Sequence, residues 1–447
     1  MGILIKNGRV VDPISGIDKT MNLYLDHDKI AYIGEEKLPA EVVLDAWGYT
    51  VVPGFIDIHV HGEKVEDSST AECLLRQGVT TILSGNCGIG YAEFKTEVEE
   101  REKQGLYQNW LSLVGHSYLR NLVGVSDRYG EASSKKIEEM REILIRNLKQ
   151  GAKGISFGLE YTPGASAGEI LNIVSVLTDF PGSLATFHIR YDAGRAEEAI
   201  KEVITISRRS KVPVEISHLG SMAGFGRMSN SLNLIENAVN DGLDIMIDCY
   251  PYNAFATRIG TAVFDEGFEK RWGVGLEALE IASGSYKGIS LTRESFKMIR
   301  GTEPDTIVIA HVMQEEEVLM CLKHPLVMLG SDGGFSSGEG HPRGAGAFPR
   351  FLRLVREKKL MPEKESLLKI TWLPAKRLGI HKERGRITEG YQADLVILDL
   401  DRVREKATFS NPTLPPEGIR WVLVNGKIAV DNGTLTGATA GKVLLNK

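Results

Sequence analysis

The middle of the chain alternates short apolar runs with longer segments of helical periodicity. Each apolar run is bounded by polar or glycine-rich residues, which is typical of buried strands in a parallel sheet. The predicted strands cover residues 79–84, 154–157, 184–189, 212–218, 244–250, 306–310 and 326–330. The predicted helices cover residues 93–104, 167–177, 193–209, 229–241 and 315–324. This repeated order of strand and helix predicts an α/β fold with a parallel sheet that closes into a barrel.

The two ends of the chain have a different pattern, with short strand-like segments separated by turn residues. These segments are residues 2–5, 8–11, 21–25 and 29–33 at the start and 394–398, 420–424 and 427–430 at the end. Asn425-Gly426 and Asn432-Gly433 are typical hairpin turns. We therefore expect both termini to pair into one small β-domain, with residues 1–51 and 381–447 flanking a barrel domain of residues 52–380.

One apolar run ends in two histidines that are separated by a single residue. The stretch from Pro53 to Gly62 includes His59-Val60-His61 and stops at the glycine. In a strand, residues i and i+2 point to the same side. His59 and His61 would therefore present two imidazoles on one face, which is a suitable pair of nitrogen ligands for a metal.

Four further strand ends carry groups that bind metals. Cys87, His188, His218 and Asp332 each follow a predicted strand, and barrel active sites are built at the C-terminal ends of strands. Imidazole, thiolate and carboxylate are the usual ligands of zinc. Six candidates exceed one tetrahedral site, so they suit two adjacent ions or one tight and one weak ion. The other histidines are interpreted as structural or surface residues, with His311 as the first additional candidate: His27, His116, His311, His324, His341 and His381.

Length, composition and charge limit the classes of protein to which the chain can belong. The 447 residues are enough for a large barrel and a smaller module, and 42% hydrophobic with 25% charged residues is ordinary for a soluble protein. A net charge of -6 provides no basic surface for nucleic acid. The scattered cysteines do not form a disulfide framework, which favours a reducing cytoplasm. No secretory signal or membrane-spanning run is recognisable.

The motifs together resemble the amidohydrolase superfamily and, within it, the D-aminoacylases (N-acyl-D-amino-acid deacylases). The superfamily pattern is the Pro53–His61 stretch, and the patterns around Gly390–Val396 and Val424–Gly426 are similar to its β-domain. More specific similarities occur in family order over nearly the whole chain: residues 85–88, 158–164, 214–218, 248–252, 331–333, 341–343 and 348–350.

The resemblance implies a (β/α)8 TIM-like barrel with a small β-sandwich domain formed by both termini. It implies that Cys87, His188 and His218 hold the tighter zinc, while His59, His61 and Asp332 complete a second, weaker site. Tyr161 and Arg343 match positions that contact the substrate carboxylate. The implied reaction is hydrolysis of the amide of an N-acyl-D-amino acid by metal-bound hydroxide, with Asp332 as the catalytic acid and base.

Gly220 departs from the family pattern, and Lys153 is a further candidate for a bridging metal ligand. The family run Ser-His-Leu-Lys is here Ser217-His218-Leu219-Gly220, so a lysine that holds the substrate carboxylate is replaced by glycine. Losing one charge-assisted hydrogen bond costs about 1.5–3 kcal/mol. Lys153 lies on the strand where other superfamily members place a carboxylated, bridging lysine.

Two alternative functions remain open at this point. A cyclic-amide hydrolase (similar to dihydroorotases and hydantoinases) or an isoaspartyl dipeptidase-like enzyme would be favoured by a carboxylated Lys153. A non-catalytic interaction protein of this fold is a distant alternative, since all six candidate ligands are present. The expected partner is a small N-acyl amino acid or related amide, with no nucleic acid or membrane, for a chain that could form a homo-oligomer.

Overall fold

The two ends of the chain share one sheet, as expected. The computed structural model describes residues 2–62, 67–90 and 93–446. Leu395–Leu398 pairs antiparallel with Thr50–Pro53, which joins the C-terminal strands to the N-terminal ones. The nine strands of this sheet are Gly2–Asp12, Ile17–Asp26, Lys29–Gly34, Val42–Asp45, Thr50–Pro53, Leu395–Leu398, Ile419–Val424, Lys427–Asp431 and Thr434–Leu435.

Turn residues determine the register in this sheet. The first two predicted segments are one strand, Gly2–Asp12, whose pairing shifts between Ile5 and Gly8. Asn425 and Gly426 have φ values of 46° and 75°, which is the type I′ pattern expected of an Asn-Gly hairpin. One face of the sheet is an apolar core whose fully buried members include Leu23, Val51, Leu395 and Leu423.

The middle of the chain forms two parallel sheets. One contains Phe55–Asp57, Val79–Ser84 and Asn109–Ser112, and the other contains Val114–Gly115, Gly154–Gly158, Leu184–His188, Val214–Ile216, Ile245–Cys249 and Val327–Leu329. Only Leu113 separates the third strand of the first sheet from the first strand of the second. The opposite edges of the two sheets are the strands Phe55–Asp57 and Val327–Leu329. Just beyond these strands, Val60 and Gly333 form a parallel bridge. The structure therefore confirms an α/β fold with parallel sheets.

Helices cover the parallel strands through one apolar face. In Ala196–Ser210 the buried side chains recur every three or four residues and include Ile200, Val203 and Ser207, whereas Lys201 and Arg208 are exposed. The α-helices are Ser69–Arg76, Phe94–Gln104, His116–Leu122, Ser134–Lys149, Ala167–Val174, Ala196–Ser210, Leu219–Ala223, Met228–Asn240, Phe268–Trp272, Arg293–Thr302, Glu315–Lys323, Arg343–Lys358, Glu363–Ile370 and Trp372–Arg377. In the described part of the chain, none is both long and apolar enough to cross a membrane.

One predicted barrel strand lies elsewhere. Ile307–Ala310 was expected to be a parallel strand, but it pairs antiparallel with Phe255–Arg258 and Leu279–Ile281 in a separate sheet. The prediction was wrong because a short apolar run indicates a buried strand without specifying its partner. The strand Asn109–Ser112 and the helix Ser134–Lys149 were not predicted. The remaining hairpin joins Phe335–Ser336 to Glu339–Gly340.

Candidate metal centre

The six predicted ligands converge at the C-terminal ends of the parallel strands. Their ligand atoms form three overlapping groups, and within each group the atoms lie within 4.8 Å of one another. The groups are His59 with His61 and Cys87, Cys87 with His188 and His218, and His59 with His218 and Asp332. His59, Cys87 and His218 each belong to two of the groups, and of these three side chains only the thiolate of Cys87 could bridge two ions.

The two histidines of the first strand end are oriented by carboxylates. The Nδ1 atom of His59 lies 3.1 Å from Oδ2 of Asp248. Its Nε2 atom lies 3.4 Å from Oδ1 of Asp332, and the Nε2 atom of His61 lies 3.0 Å from the same oxygen. Asp332 is itself fixed by its backbone N–H, which donates to the carbonyl oxygen of His59. The inward nitrogens of both histidines therefore face Asp332.

The thiol of Cys87 lies between two of the imidazoles. Its Sγ atom is 3.4 Å from Nε2 of His59 and 3.4 Å from Nε2 of His218. The loop that carries it lies against the backbone of neighbouring strands: a Cβ at Gly85 would be 2.3 Å from the carbonyl oxygen of Leu113. Glycine at that position, which also has a positive φ, is needed for this close approach.

Three of the ligand candidates have a left-handed backbone. The φ values are 55° for Cys87, 33° for His218 and 50° for Asp332. Such conformations are unfavourable for residues other than glycine and concentrate at functional sites. Each of these residues lies two or three positions beyond the end of a parallel strand, where its side chain belongs to at least one of the candidate ligand groups.

The other two histidines have one nitrogen held by a partner. The Nε2 atom of His188 lies 3.0 Å from Oε2 of Glu160. Its Nδ1 atom is buried and has no hydrogen-bond partner among the described residues. The Nδ1 atom of His218 lies 3.0 Å from the Ser221 hydroxyl, and its backbone N–H donates to Asp248. Holding the outer nitrogen leaves the other nitrogen available to a metal.

The charges of the site also fit a bound cation. Burial would raise the pKa of the Cys87 thiol, but His59 and His218 lower it well below its ordinary value. Burial would likewise raise the pKa of Asp332, but Arg343, whose Nη1 atom is 2.8 Å away, holds it well below its usual range. Burial lowers the pKa of His188, but Cys87 and Glu160 raise it to about 9. A thiolate, a carboxylate and several imidazole nitrogens that converge on one space are a suitable donor set for zinc.

Comparisons with known proteins agree with this geometry. The sequence profile of the Amidohydrolase family matches residues 233–430. The N-acyl-D-glutamate deacylase of Alcaligenes xylosoxydans xylosoxydans is 32% identical over 95% of this chain and 93% of its own length. The D-aminoacylase of the same organism is 31% identical over 99% and 97%. The chain belongs to the D-aminoacylase family of amidohydrolases. The resemblance predicted from the motifs is confirmed.

Solved structures of the D-aminoacylase family are similar over the whole chain. One is the N-acyl-D-glutamate deacylase of Bordetella bronchiseptica complexed with zinc and a phosphonate mimic of the tetrahedral intermediate. It has a TM-score of 0.88 and 30% identity and covers 100% of this chain and 99% of its own. A crystal structure of D-aminoacylase has a TM-score of 0.89 and 30% identity over 100% and 99%.

A cavity opens beside the ligand candidates of this family member. It is lined by Glu160, Tyr161, His188, Asp192, His218, Ser221, Met222, Phe255, Ala256, Thr257, Val263 and Asp332. The ring of Tyr161 packs on His188 with centroids 4.5 Å apart, and its hydroxyl accepts a hydrogen bond from Thr257. Arg343 lies behind Asp332 and stacks on the ring of Tyr250. Tyr161 thus borders the cavity directly, whereas Arg343 reaches it through Asp332.

The glycine that departs from the family pattern lies in a tightly packed place. A Cβ at Gly220 would be 2.9 Å from Sγ of Cys249 and 3.5 Å from Cε of Met313. A larger residue would therefore have to displace Cys249. The next residues, Ser221 and Met222, form the cavity wall instead. The lysine of the family pattern has no counterpart at this position.

Lys153 and His311 lie apart from the metal-ligand candidates. The Lys153 ammonium donates to the carbonyl oxygen of Gly182 and to Oδ1 of Asn446. It is buried at the start of its strand, not facing solvent. His311 contacts Glu280 through Nε2 and belongs to none of the metal-ligand groups found among the described residues.

The residues that orient the candidate ligands were not predicted from the sequence. Asp248 contacts two of them, through the side chain of His59 and the backbone of His218. It follows the same strand-end rule as the ligands, which was a usable signal. Glu160 and Ser221 lie next to residues that the sequence analysis singled out, but nothing in the sequence distinguishes them from ordinary loop residues.

Proposed function

We propose that this chain is a zinc-dependent hydrolase that cleaves the amide bond of an N-acyl-D-amino acid. The observation that carries the proposal is the convergence of Cys87, His188 and His218 next to His59, His61 and Asp332. Membership of the D-aminoacylase family over nearly the full chain supports the same reaction. The neighbour with zinc and a mimic of the tetrahedral intermediate is an enzyme of this kind.

The fold proposal accompanies the functional one. Because Asn109–Ser112 and Val114–Gly115 are nearly continuous, they count as one strand, and the two parallel sheets then contain eight. We propose that these eight strands form one (β/α)8 barrel. The supporting contacts are the continuity through Leu113 on one side and the bridge between Val60 and Gly333 on the other. In this proposal residues 52–380 are the barrel domain, and residues 1–51 and 381–447 form a β-sandwich beside it.

The ligand roles follow from the groups described above. Cys87, His188 and His218 would hold the tighter zinc, and His59, His61 and Asp332 would complete a second site next to Cys87. A bound zinc polarises the amide carbonyl and lowers the pKa of a coordinated water to about 7. The thiolate form of Cys87, favoured by His59 and His218, is the form that binds metal.

Asp332 is the proposed proton carrier. Its carboxylate borders the cavity, and its Oδ1 atom contacts His61 while Oδ2 contacts Arg343. Because Arg343 and two imidazoles hold its pKa well below the usual range, the side chain is anionic at neutral pH, which is the form that a general base needs. It would take a proton from the attacking water and deliver it to the leaving amine.

Two residues are proposed to bind the substrate. The Tyr161 hydroxyl, which accepts a hydrogen bond from Thr257, keeps its own proton available to donate to the substrate carboxylate or to the developing oxyanion. Arg343 contacts Asp332 through Nη1, and its Nη2 atom lies 3.4 Å from the carbonyl oxygen of Ala256 in the cavity wall. Its fork would turn from Asp332 towards the cavity to bind the substrate carboxylate. With Gly220 in place of the family lysine, Arg343 would be the main cation for this carboxylate.

A matched substrate screen tests the proposal. The zinc-loaded protein is assayed for release of free amino acid from N-acetyl-D-methionine, N-acetyl-D-glutamate and their L enantiomers, with hydantoin and dihydroorotate as cyclic amides. We expect turnover of at least one N-acetyl-D-amino acid, at a higher kcat/KM than its L enantiomer. Hydrolysis of a cyclic amide without turnover of any N-acetyl-D-amino acid would contradict the proposal.

The cyclic-amide alternative lacks support from the site. It is favoured by a carboxylated lysine that bridges two metals, and Lys153 instead binds Gly182 and Asn446. The solved hydantoinases, at 18% identity, share the fold only.

A further inference from the structure

We propose that Glu160 is a positioning residue for His188 and thereby strengthens zinc binding by Cys87, His188 and His218. Glu160 lies two residues beyond the strand Gly154–Gly158. The preceding residue, Leu159, donates its backbone N–H to the carbonyl oxygen of His188. This backbone contact fixes the distance between the Glu160 loop and the strand that carries the imidazole.

The contact between the two side chains is direct and buried. Oε2 of Glu160 lies 3.0 Å from Nε2 of His188, and the two residues are 8% and 5% exposed. A carboxylate at this distance holds the proton of the imidazole on Nε2. In the neutral imidazole, which is the form that binds a metal, the lone pair is then on Nδ1. This atom has no hydrogen-bond partner within the described chain, and His188 belongs to the ligand group of Cys87 and His218.

An arginine holds the same carboxylate from the other side. Nη2 of Arg271 lies 3.5 Å from Oε1 of Glu160, and its Nε atom lies 2.8 Å from Oδ1 of Asp192. Asp192 also accepts a hydrogen bond from the indole of Trp272. The short helix Phe268–Trp272 therefore places one cation beside Oε1 of Glu160, while Oε2 faces His188.

Glu160 carries a charge, unlike the residue that orients the other histidine proposed for the tighter zinc site. The outer nitrogen of His218 is held by the Ser221 hydroxyl, a neutral partner. Only His188, of these two histidines, has a carboxylate as partner. A carboxylate on the outer nitrogen raises the basicity of the imidazole and fixes its ring, and losing such a partner typically weakens metal binding about 10- to 100-fold.

The chain contains a matched control for this contact. Glu169 lies 2.8 Å from Nε2 of His116 and 2.7 Å from Nη1 of Arg120. This cluster has the same three residue types and is also buried, but His116 is in none of the metal-ligand groups of the described residues. Replacing Glu169 therefore tests what the loss of a buried carboxylate does when no metal ligand is involved.

The experiment measures zinc affinity by competition with a chromophoric chelator, in Glu160→Ala, Glu160→Gln, Glu169→Gln and the unaltered chain. We expect the dissociation constant of the tighter zinc to rise about 10- to 100-fold in Glu160→Ala. Glu160→Gln should show a smaller rise because its carbonyl oxygen can still accept from Nε2 of His188. Glu169→Gln should leave zinc affinity unchanged while lowering the midpoint of thermal unfolding.

Two results would overturn the inference. One is an unchanged zinc affinity in folded Glu160→Ala and Glu160→Gln, and the other is an equal loss of affinity in Glu169→Gln. If Glu160→Ala and Glu160→Gln do not fold, Glu160→Asp replaces them, because it keeps the charge but shortens the side chain that contacts Nε2 of His188. It should weaken zinc binding in the same direction to a smaller extent, and an unchanged affinity would refute the proposal.

The inference rests on the proposed zinc site, but the two can fail separately. Absence of zinc binding by the unaltered chain would contradict the proposed function. Normal zinc binding by the Glu160 variants would contradict only the positioning role.

Discussion

Two clusters of histidine, glutamate and arginine, each built on a buried contact between histidine and glutamate, have different surroundings in this chain. In one, Glu160 contacts His188 and Arg271, and in the other Glu169 contacts His116 and Arg120. Both histidines offer Nε2 to a carboxylate, and both have a buried Nδ1 without a hydrogen-bond partner in the described residues. The histidine and its carboxylate alone therefore do not identify a metal ligand.

The surroundings of the second nitrogen make the difference. His188 is grouped with Cys87 and His218, whereas the ring of His116 packs against Phe157 with centroids 4.8 Å apart. Burial lowers the pKa of His116 in spite of Glu169. The thiolate of Cys87 reverses that direction at His188, whose pKa is raised to about 9. Both histidines are buried beside a carboxylate, so the neighbouring thiol of Cys87 and imidazole of His218 distinguish the candidate site from the structural cluster.

The largest effect is expected from removing that anion. Cys87→Ala should lose most of the tightly bound zinc and nearly all deacylase activity, because Cys87 is the only thiol in the ligand groups of the described residues and the only one of their ligands that is grouped with both His61 and His188. Elemental analysis after dialysis checks the metal content. The control is Cys73→Ala, a buried cysteine outside these groups. Full zinc occupancy in Cys87→Ala would remove the cysteine from the site.

A large effect without metal loss is expected at Asp332. Asp332→Asn removes the proposed proton carrier, and general acid–base catalysis typically contributes about 10²- to 10⁴-fold to the rate. We expect kcat to fall by that factor while the Cys87, His188 and His218 zinc is retained. Steady-state kinetics on protein of measured zinc content checks this result. A near-normal kcat would assign proton transfer to another group.

An intermediate effect is expected from Arg343, which also has a matched partner in the chain. Arg343 lies over Tyr250 and contacts Asp332, and Arg350 lies over Tyr252 and contacts Glu405. Arg343→Lys loses the bidentate fork, which costs about 1.5–3 kcal/mol, or roughly 10- to 100-fold in kcat/KM. Arg350→Lys should leave kcat/KM unchanged.

The kinetic constant that changes shows what Arg343 does. A rise in KM at constant kcat means that Arg343 binds the substrate carboxylate. A fall in kcat at constant KM means that it acts only by holding Asp332, and this outcome would contradict the proposed substrate contact.

Replacing Glu169, in the cluster with His116 and Arg120, should lower the stability of the fold without changing metal binding. Breaking a buried ion pair by removing one partner costs about 3–5 kcal/mol. Glu169→Gln should lower the free energy of unfolding by an amount near this range, measured by urea denaturation, with zinc content unchanged. A loss of zinc without destabilisation would mean that the two clusters do not differ as described.

The smallest effect is expected from Lys153 and depends on pH. Burial, with Arg377 nearby, lowers the pKa of Lys153 to about 8. Between about pH 8 and 10 the unfolded chain binds more protons at this residue than the folded one, so stability should rise with pH. Lys153→Met should lose this rise in urea titrations at several pH values, and exposed Lys149→Met should keep it. Identical pH profiles for Lys153→Met and the unaltered chain would contradict the buried amine.

Sequence patterns indicated the candidate ligands better than the residues that support them. His59, His61, Cys87, His188, His218 and Asp332 were singled out because each lies at or just beyond the end of a buried strand, and parallel strands bring their C-terminal ends together. Arg271 was not found because it reaches Glu160 from a helix more than a hundred positions away, and no periodicity encodes that contact. Ile307–Ala310 was misplaced for a similar reason, since strand partners depend on tertiary packing.

The central claim is that Cys87, His188 and His218 form a zinc site. Anomalous diffraction at the zinc edge, from crystals of the zinc-loaded protein, tests it most directly. The account predicts an anomalous peak within ligand distance of the Cys87 thiol, of Nδ1 of His188 and of Nε2 of His218. Zinc-loaded crystals that show no peak at these three side chains would contradict it.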